Sequence, residues 1–545
     1  MRPNSIIPPL LFGLGVEVDH AIGSKTLLVE LAHLGYSISW DEAKRFKQSV
    51  AIQDETDTSA SKNVSSEFTQ WVADNCDHNA VTLDGKGTFH LMGIIECSIK
   101  NGKFQNKPIK RIKHTLSNAE ITRIKKIPHE VYTFPDNQPL ANVTFKPLGE
   151  DLVQLTVPNI DYLWYSAAIF RKVEAKQDPR PSWNGYMELT YSRNDHPSPS
   201  QITMLPFIDL NPNDPSCIYS TLLKVIEQAR QQGIVTPSVT FDQPLWLKAV
   251  EIIDAKKLPI VARLGGFHSL MSFAHSIGTI MECSGLEKLL ETCYAPNSVL
   301  HILSGKAIAR ALRAHFIADA ALTMKLLAPI FPKEKNMVPN STKESGQEKE
   351  LAESDHHASD DILSIEEVSE LEMMYSNTEF DSNAIESSTV LAKISNYLVR
   401  TKENLSSESS TAKLWIRYMG YVDVIKHFIR AERRGEWLEH LAATKMMLNL
   451  YAATGHHNYA KSARLYLQMM NNLSLDYPWL YNQYTQHGFH SVWRTDKAWA
   501  GLWTDLIIEQ TMMRSVKSIG GLTLGVEWMR VSGIYGLHLC IIVVK

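Results

Sequence analysis

Residues 202–264 read ITMLPFIDLNPNDPSCIYSTLLKVIEQARQQGIVTPSVTFDQPLWLKAVEIIDAKKLPIVARL. Apolar and β-branched residues crowd ITMLPFIDL, VTPSVTF and PIVARL, which predicts three short strands. Between them, SCIYSTLLKVIEQARQQ and PLWLKAVEIIDA carry apolar residues at helical spacing. Strand and helix alternating in this way form crossover units, which set strands side by side in parallel.

Upstream, residues 68–95 (FTQWVADNCDHNAVTLDGKGTFHLMGII) supply two more strands, FTQWVA and TFHLMGII. Asp84-Gly85 and Gly87 suffice for the bend between them. The surplus polar residues begin at Asp74, which is read as ending the first strand. The resulting order is two antiparallel strands, a third strand, helix, strand, helix, strand. That is a ribonuclease H-like order, so the expected fold class is α/β, a ribonuclease H-like mixed sheet interrupted by a large all-helical insertion.

The boundaries follow from this frame. Residues 1–65 are an N-terminal helical region, in which SKTLLVELAHL and SWDEAKRFKQSV read as helices joined across Gly35, with Ser39 and Glu42 as a helix start. Such a pair is either a DNA-reading helix-turn-helix or two packed helices. Residues 66–268 form the first part of the core, and 269–332 a helical insertion. Residues 333–410 are an acidic disordered segment and 411–490 a second helical insertion. Residues 491–523 hold the closing catalytic helix, and 524–545 an atypical tail.

Charge is unevenly spread. The chain has 44% hydrophobic residues and a formal net charge of -4. Residues 333–386 hold 15 Asp and Glu against 4 Lys, a net of -11, so the remainder carries +7. With few aromatic residues, such a stretch cannot bury enough apolar surface to fold alone. The insertion at 99–127 holds 9 Lys and Arg against one Glu. It suits a polyanionic partner or is a solvated loop. No apolar run reaches the roughly 18–20 residues of a membrane helix, so no membrane partner is expected. SIIPPLLFGLGVEV, broken by Pro-Pro, is not expected to be a signal peptide. Six cysteines without a CxxC pair favour reduced thiols and the cytoplasm or nucleus.

Three acids stand where a charge is costly. On KAWAGLWTDLIIEQTMMRSVK, residues Leu502, Leu506, Glu509, Met513 and Val516 share one helical stripe, which puts Glu509 amid a buried face. There it must be paired, protonated or metal-bound, or else sit at the stripe's margin. Asp242 follows the strand VTPSVTF and precedes a helix, a position that suits either a ligand at the sheet's carboxyl edge or an ordinary N-cap. Asp74 ends the first strand. A first-strand Asp, a later-strand Asp and a helical Glu form a set able to hold two Mg²⁺ (or Mn²⁺) ions. Cys76, His78 and His90 lack a second pair at zinc spacing, and there is no Walker loop, no GxSxG and no heptad array.

Asp74, Asp242 and Glu509, with helices between the last two, resemble the Asp-Asp-Glu core of cut-and-paste DNA transposases. RLGGFHSLMSFAHSIG is similar to the Cys/Asp-x-x-His element of such families, with His268 matching the His and Gly265 standing where the pattern has Cys or Asp. VADNCDHNAVTLDGKGTFHLMGII, VTFDQPLW, RLGGFHSLMSF, AIARALRAHF, YAKSARLYLQMM and WAGLWTDLIIEQTMMRSVKSIGGLT resemble a large group of uncharacterised proteins repeated in animal genomes. That likeness covers most of residues 10–523; after Thr523 the sequence departs from it.

The resemblance implies a nuclear, transposase-derived protein that cleaves and transfers strands of double-stranded DNA in a Mg²⁺-dependent way. Asp74, Asp242 and Glu509 would be its metal ligands and His268 would stand beside the site. A catalytically inactive, domesticated copy that binds DNA or protein is the alternative, and a homodimer is kept as a candidate assembly.

Overall fold

The structure is a computed structural model of the chain. It describes residues 8–22, 24–60, 66–79, 88–100, 109–115, 127–135, 145–148, 154–170, 181–191, 198–332, 362–376 and 382–513. The Asp84-Gly85 bend, Val516 and the tail 524–545 lie outside the described residues, as does most of the basic insertion.

Helices α1 (Pro9–Ile22), α2 (Lys25–His33) and α3 (Trp40–Ala60) open the chain. Ser24 caps α2 by accepting from Leu27 N, and Ser39 accepts from Glu42 N at the head of α3. The three helices share a small core of their own around Val16, Leu28, Ile38 and Ala43. Within the described part of the basic insertion, Arg111 grips Glu42 with two hydrogen bonds of 2.6 and 2.7 Å.

The main sheet has the order β3-β2-β1-β4-β5. Strands β1 (Ser66–Asn79) and β2 (Thr88–Lys100) are antiparallel, and β3 (Gln201–Met204) extends them as an antiparallel edge. Strands β4 (Ser238–Phe241) and β5 (Val261–Leu264) lie parallel to β1 and to each other. The alternation read at 202–264 is therefore realised as a mixed sheet. β1 is longer than its apolar run suggests. The ladder to β2 continues past Asp74 to the pair Asn79↔Thr88, so Asp74 sits inside the strand, opposite Gly93. Backbone pairing to β2 satisfies the polar stretch, which can thus stay extended.

Between and around the strands run α4 (Asn159–Phe170), α5 (Trp183–Thr190), α6 (Pro215–Gln231) and α7 (Gln243–Lys256). After β5 come α8 (Gly266–Ile280), α9 (Leu286–Glu291), α10 (Pro296–Leu303) and α11 (Ile308–Leu327). Next are α12 (Ile365–Ser376), α13 (Ser382–Glu386), α14 (Thr389–Glu408) and α15 (Ser410–Arg434). The set ends with α16 (Trp437–Ala453), α17 (His457–Asn471), α18 (Leu473–Asp476) and α19 (Pro478–His487). A two-stranded ribbon, β6 (Val492–Trp493) with β7 (Gly501–Leu502), then leads into α20 (Thr504–Ile508) and a π-helical turn, Glu509–Met513.

Helices α12 to α14 correct the reading of 333–410 as disordered. Leu371, Ile385, Val390, Leu391, Ile394 and Leu398 are buried there. The net charge of the whole stretch hid these apolar positions, although the acids within α12 to α14 are exposed or half-buried on the same helices. Residues 333–361 lie outside the described residues.

Buried ion pairs lock the helical layer. Arg430 of α15 donates two 2.8 Å hydrogen bonds to Asp161 of α4, which also accepts from Trp183 Nε1 at 2.9 Å. Beside them Lys426 donates to Asp319 and to the Tyr165 hydroxyl. Charges this deep are tolerated because each has a partner. No helix among the described residues is long and apolar enough to cross a membrane.

Candidate active site

Val72 of β1 pairs with Thr240 of β4 in parallel register. Asp74 and Asp242 each lie two residues further along, so strand alternation turns both toward the face that Val72 and Thr240 occupy. The closing segment covers that face: Thr504 Oγ1 donates to Thr240 Oγ1 at 3.0 Å, and Ile507, Ile508, Met512 and Met513 pack with Val72 and Cys76. Gly93, opposite Asp74, makes this approach feasible, since a Cβ there would stand 2.5 Å from Met512 Sδ.

Asp74 is 3% exposed, and its Oδ1 accepts from the Asn75 N–H at 2.8 Å. Burial, and then the charges of Asp242 and Glu509, push its carboxyl up to about 8, against the opposing pull of His268. Asp242 is raised by burial and by Asp505, and is partly relieved by the Leu245 N–H and His268. Its Oδ1 accepts from Leu245 N at 3.2 Å, so it is both the N-cap of α7 and a member of the acidic group. The two readings of Asp242 are compatible, because the cap uses one oxygen.

His268 stands in the first turn of α8. Burial alone would lower it, but the hydrogen bond to Asp505 and the carboxylates of Asp505, Asp74 and Asp242 outweigh that and push it up to about 9. Asp505, in α20, was not singled out from the sequence. Its Oδ1 accepts from Phe267 N, and its Oδ2 accepts from His268 N and meets His268 Nδ1, all at 3.1 Å. It therefore caps α8 from a distant part of the chain. Gly265, the N-cap position itself, offers no side chain, and a Cβ built on it would lie 2.5 Å from Asp505 Oδ2. The space left by Gly265 is filled by the Asp505 carboxylate, which the positive end of the helix stabilises.

Glu509 joins the group but not as the stripe predicts. Leu502 belongs to β7, the helix begins at Thr504, and its five residues pass into a π turn at Glu509. The buried positions are Thr504, Asp505, Ile507, Ile508, Met512 and Met513, whereas Leu506 and Glu509 are half-buried. Glu509 thus sits at the margin of the buried face, close enough to Asp74 for its charge to raise that carboxyl. His90, weighed with Cys76 and His78 for zinc, is exposed.

One buried and two half-buried carboxylates with an imidazole offer hard oxygen donors suited to Mg²⁺ or Mn²⁺, and their mutual repulsion is what a cation would relieve. The oxygens of Asp74, Asp242 and Glu509 do not all come within 4.8 Å of one another. Among the described residues the tighter gathering of ligand atoms is a different one, Glu432, His440 and His490.

Neither the curated proteins nor the solved structures contain a match to this chain. A family model described as a domain of unknown function (DUF8702) does match, over residues 182–532. The matched region includes Asp242, His268, Asp505 and Glu509, with Asp74 lying before it. Because the match spans more than half of the 545 residues, the chain belongs to the DUF8702 family.

Proposed function

We propose that this protein is a transposase-derived, ribonuclease H-like phosphodiester transferase acting on double-stranded DNA in the nucleus. The observation that carries the reading is the placement of Asp74 and Asp242, each two residues past one parallel strand pair, with Glu509 brought to them by the segment packed on that face. The strand order β3-β2-β1-β4-β5, antiparallel on one side of β1 and parallel on the other, supports a ribonuclease H-like core.

Asp74, Asp242 and Glu509 would hold two Mg²⁺ ions, or Mn²⁺. Bound there, the ions would supply charge neutralisation at the phosphate and acidify water. The chain's own part is distinct. Asp74, raised by burial and by the neighbouring acids, would give up its proton to solvent if a cation's charge offset both. His268, held as imidazolium by Asp505, presents its other ring nitrogen as a donor for a phosphate oxygen. Trp503 and Phe428, stacked at 5.8 Å, brace the turn that carries Gly266 and His268.

The inactive, binding-only reading draws on one observation: the oxygens of Asp74, Asp242 and Glu509 do not all gather within 4.8 Å of one another. A duplex-nicking assay with Mg²⁺ or Mn²⁺, wild type beside Asp242→Asn, separates the two. Nicking by the wild type alone supports the enzyme. Binding of duplex DNA without nicking by either supports the inactive copy, and equal nicking by both removes Asp242 from the site. Sedimentation of the protein with and without duplex tests the homodimer.

A further inference from the structure

Glu432 stands in the last turn of α15, His440 lies in the first turns of α16, and His490 follows α19, yet the three meet in the interior. Two glycines bring them together. Gly435 (φ 73°), the C-cap of α15, and Gly488 (φ 67°), the C-cap of α19, sit back to back. A Cβ on Gly435 would stand 2.8 Å from the Gly488 Cα, and one on Gly488 would stand 2.7 Å from the Gly435 carbonyl oxygen. Both glycines need positive φ and both need the absent side chain. The loop bearing His490 is then tied to the sheet, since Gln70 of β1 donates to the Phe489 carbonyl at 2.8 Å and Arg263 of β5 donates to the His490 carbonyl at 2.7 Å.

The three side chains are almost wholly buried, Glu432 at 1%, His440 at 2% and His490 at 0% exposure. Among the described residues, both carboxylate oxygens of Glu432, Nδ1 of His440 and both ring nitrogens of His490 have no hydrogen-bond partner. Buried polar atoms are nearly always satisfied, and three residues that bring unsatisfied ligand atoms within 4.8 Å of one another call for an occupant. A direct imidazolium–carboxylate pair is not the answer. Such a pair closes to about 2.7–2.9 Å, whereas Glu432 Oε2 lies 3.6 Å from His440 Nδ1 and 3.9 Å from His490 Nε2. Nor does Arg263 neutralise Glu432 by contact, because its Nη1 donates to Gln70 Oε1 and the His490 carbonyl.

Those separations fit a shared cation. Bonds of about 2.0–2.1 Å in tetrahedral geometry set neighbouring ligand atoms roughly 3.4 Å apart, so a contraction of a few tenths of an ångström would bring each imidazole to that separation from Glu432, and the three ligand atoms already lie within 4.8 Å of one another. The second Glu432 oxygen, on the same carboxyl carbon, would add a bidentate contact to the ion rather than a separate tetrahedral vertex. The His440 ring is held in place: it stacks on Trp437 at 5.3 Å and on Phe428 at 5.0 Å, and its Nε2 meets the Tyr466 hydroxyl at 3.4 Å. That last contact is the outer partner that fixes the tautomer of a metal-bound imidazole.

We propose that Glu432, His440 and His490 bind one zinc ion, a closed structural centre that clamps the α15–α16 turn and the α19–β6 loop onto the sheet. Two imidazoles and a carboxylate are a borderline donor set suited to zinc, and it is the burial of all three side chains, rather than the donor set, that marks the centre as structural. The centre lies directly before β6, β7 and α20 in the chain, so it also fixes the segment that delivers Asp505 and Glu509. It does not depend on those acids or on any nuclease activity.

The test is metal analysis of full-length protein purified without chelators, for the wild type, His490→Gln, Glu432→Gln and Asp74→Asn. The expected result is zinc at about one per chain in wild type and Asp74→Asn, near zero in the other two. Chelation of the wild type should lower its unfolding temperature, and added Zn²⁺ should restore it. Should His490→Gln fail to fold, Co²⁺ loaded into the stripped wild type decides: strong visible absorption of a tetrahedral centre supports the site. Wild-type protein that carries no zinc, shows no chelator effect and gives no tetrahedral cobalt spectrum would overturn it. So would zinc retained in a folded His490→Gln.

Discussion

The Asp505 carboxylate lies 3.1 Å from His268 Nδ1 and, with the same two oxygens, caps the helix on which His268 stands. One side chain therefore does the work that Gly265 cannot do and sets the charge of the imidazole beside Asp74. Asp505→Asn should lower the His268 pKa toward the ordinary histidine range and cost about 1–2 kcal/mol of stability at pH 6. A group raised from 6.5 to about 9 on folding lends stability below pH 6.5 and loses it as pH rises through 9. The difference between wild type and variant should accordingly narrow above pH 9. NMR titration of His268 and urea unfolding at the two pH values check both parts.

Asp74 gives a second pH signature. Its carboxyl is raised from 3.8 to about 8, so its contribution is fully present below pH 3.8 and lost as pH rises to 8. Metal-free wild type should weaken over that window by an amount on the order of a few kcal/mol. Asp74→Asn should weaken less and exceed wild type at pH 8.5. Addition of Mg²⁺ should raise the unfolding temperature of wild type at that pH and leave the variant unchanged. A variant less stable than wild type at pH 8.5 without metal would contradict the crowding of these acids.

Lys426 tests the helical layer. It is fully buried and holds Asp319 and Tyr165. Lys426→Met should cost about 3–5 kcal/mol, because Asp319 is left as an uncompensated buried charge. Adding Asp319→Leu to that variant should recover most of the loss, and guanidinium unfolding of the single and double variants measures it.

Gly265→Ala should disturb the site without touching a carboxylate. Its new Cβ would meet Asp505 Oδ2 at 2.5 Å and the Phe241 carbonyl oxygen at 3.1 Å, so Asp505 must withdraw. The His268 pKa should fall as it does in Asp505→Asn, with a stability loss of about 1–3 kcal/mol. An unshifted His268 titration would show that the carboxylate does not depend on that gap.

How much of this was legible varied with the reach of the signal. The alternation at 202–264 is local, and β3, α6, β4, α7 and β5 fall where their periodicities place them. Asp242 was legible for the same reason, since strand, Asp, Gln and Pro mark one junction. Asp74 was legible as a residue but not as a position: Asn75, Asp77 and His78 resemble a turn, and only pairing with β2 keeps them extended. The stripe through Glu509 failed because helical spacing was carried back through Leu502, a residue of β7, and forward through a π turn. Asp505 and the Glu432, His440, His490 group left no local trace. Their partners lie elsewhere in the chain, and nothing in the spacing of the residues announces the meeting.

In the function proposed above, Asp74, Asp242 and Glu509 form one divalent-cation centre in which Asp74 must give up a proton. Calorimetric titration of Mg²⁺ into wild type and Asp74→Asn near pH 7, repeated in two buffers of different ionisation enthalpy, tests it most directly. The expected result is binding by wild type with release of close to one proton per site, and no binding by Asp74→Asn. Equal Mg²⁺ affinity in the two proteins, or binding by wild type with no proton released, would contradict it.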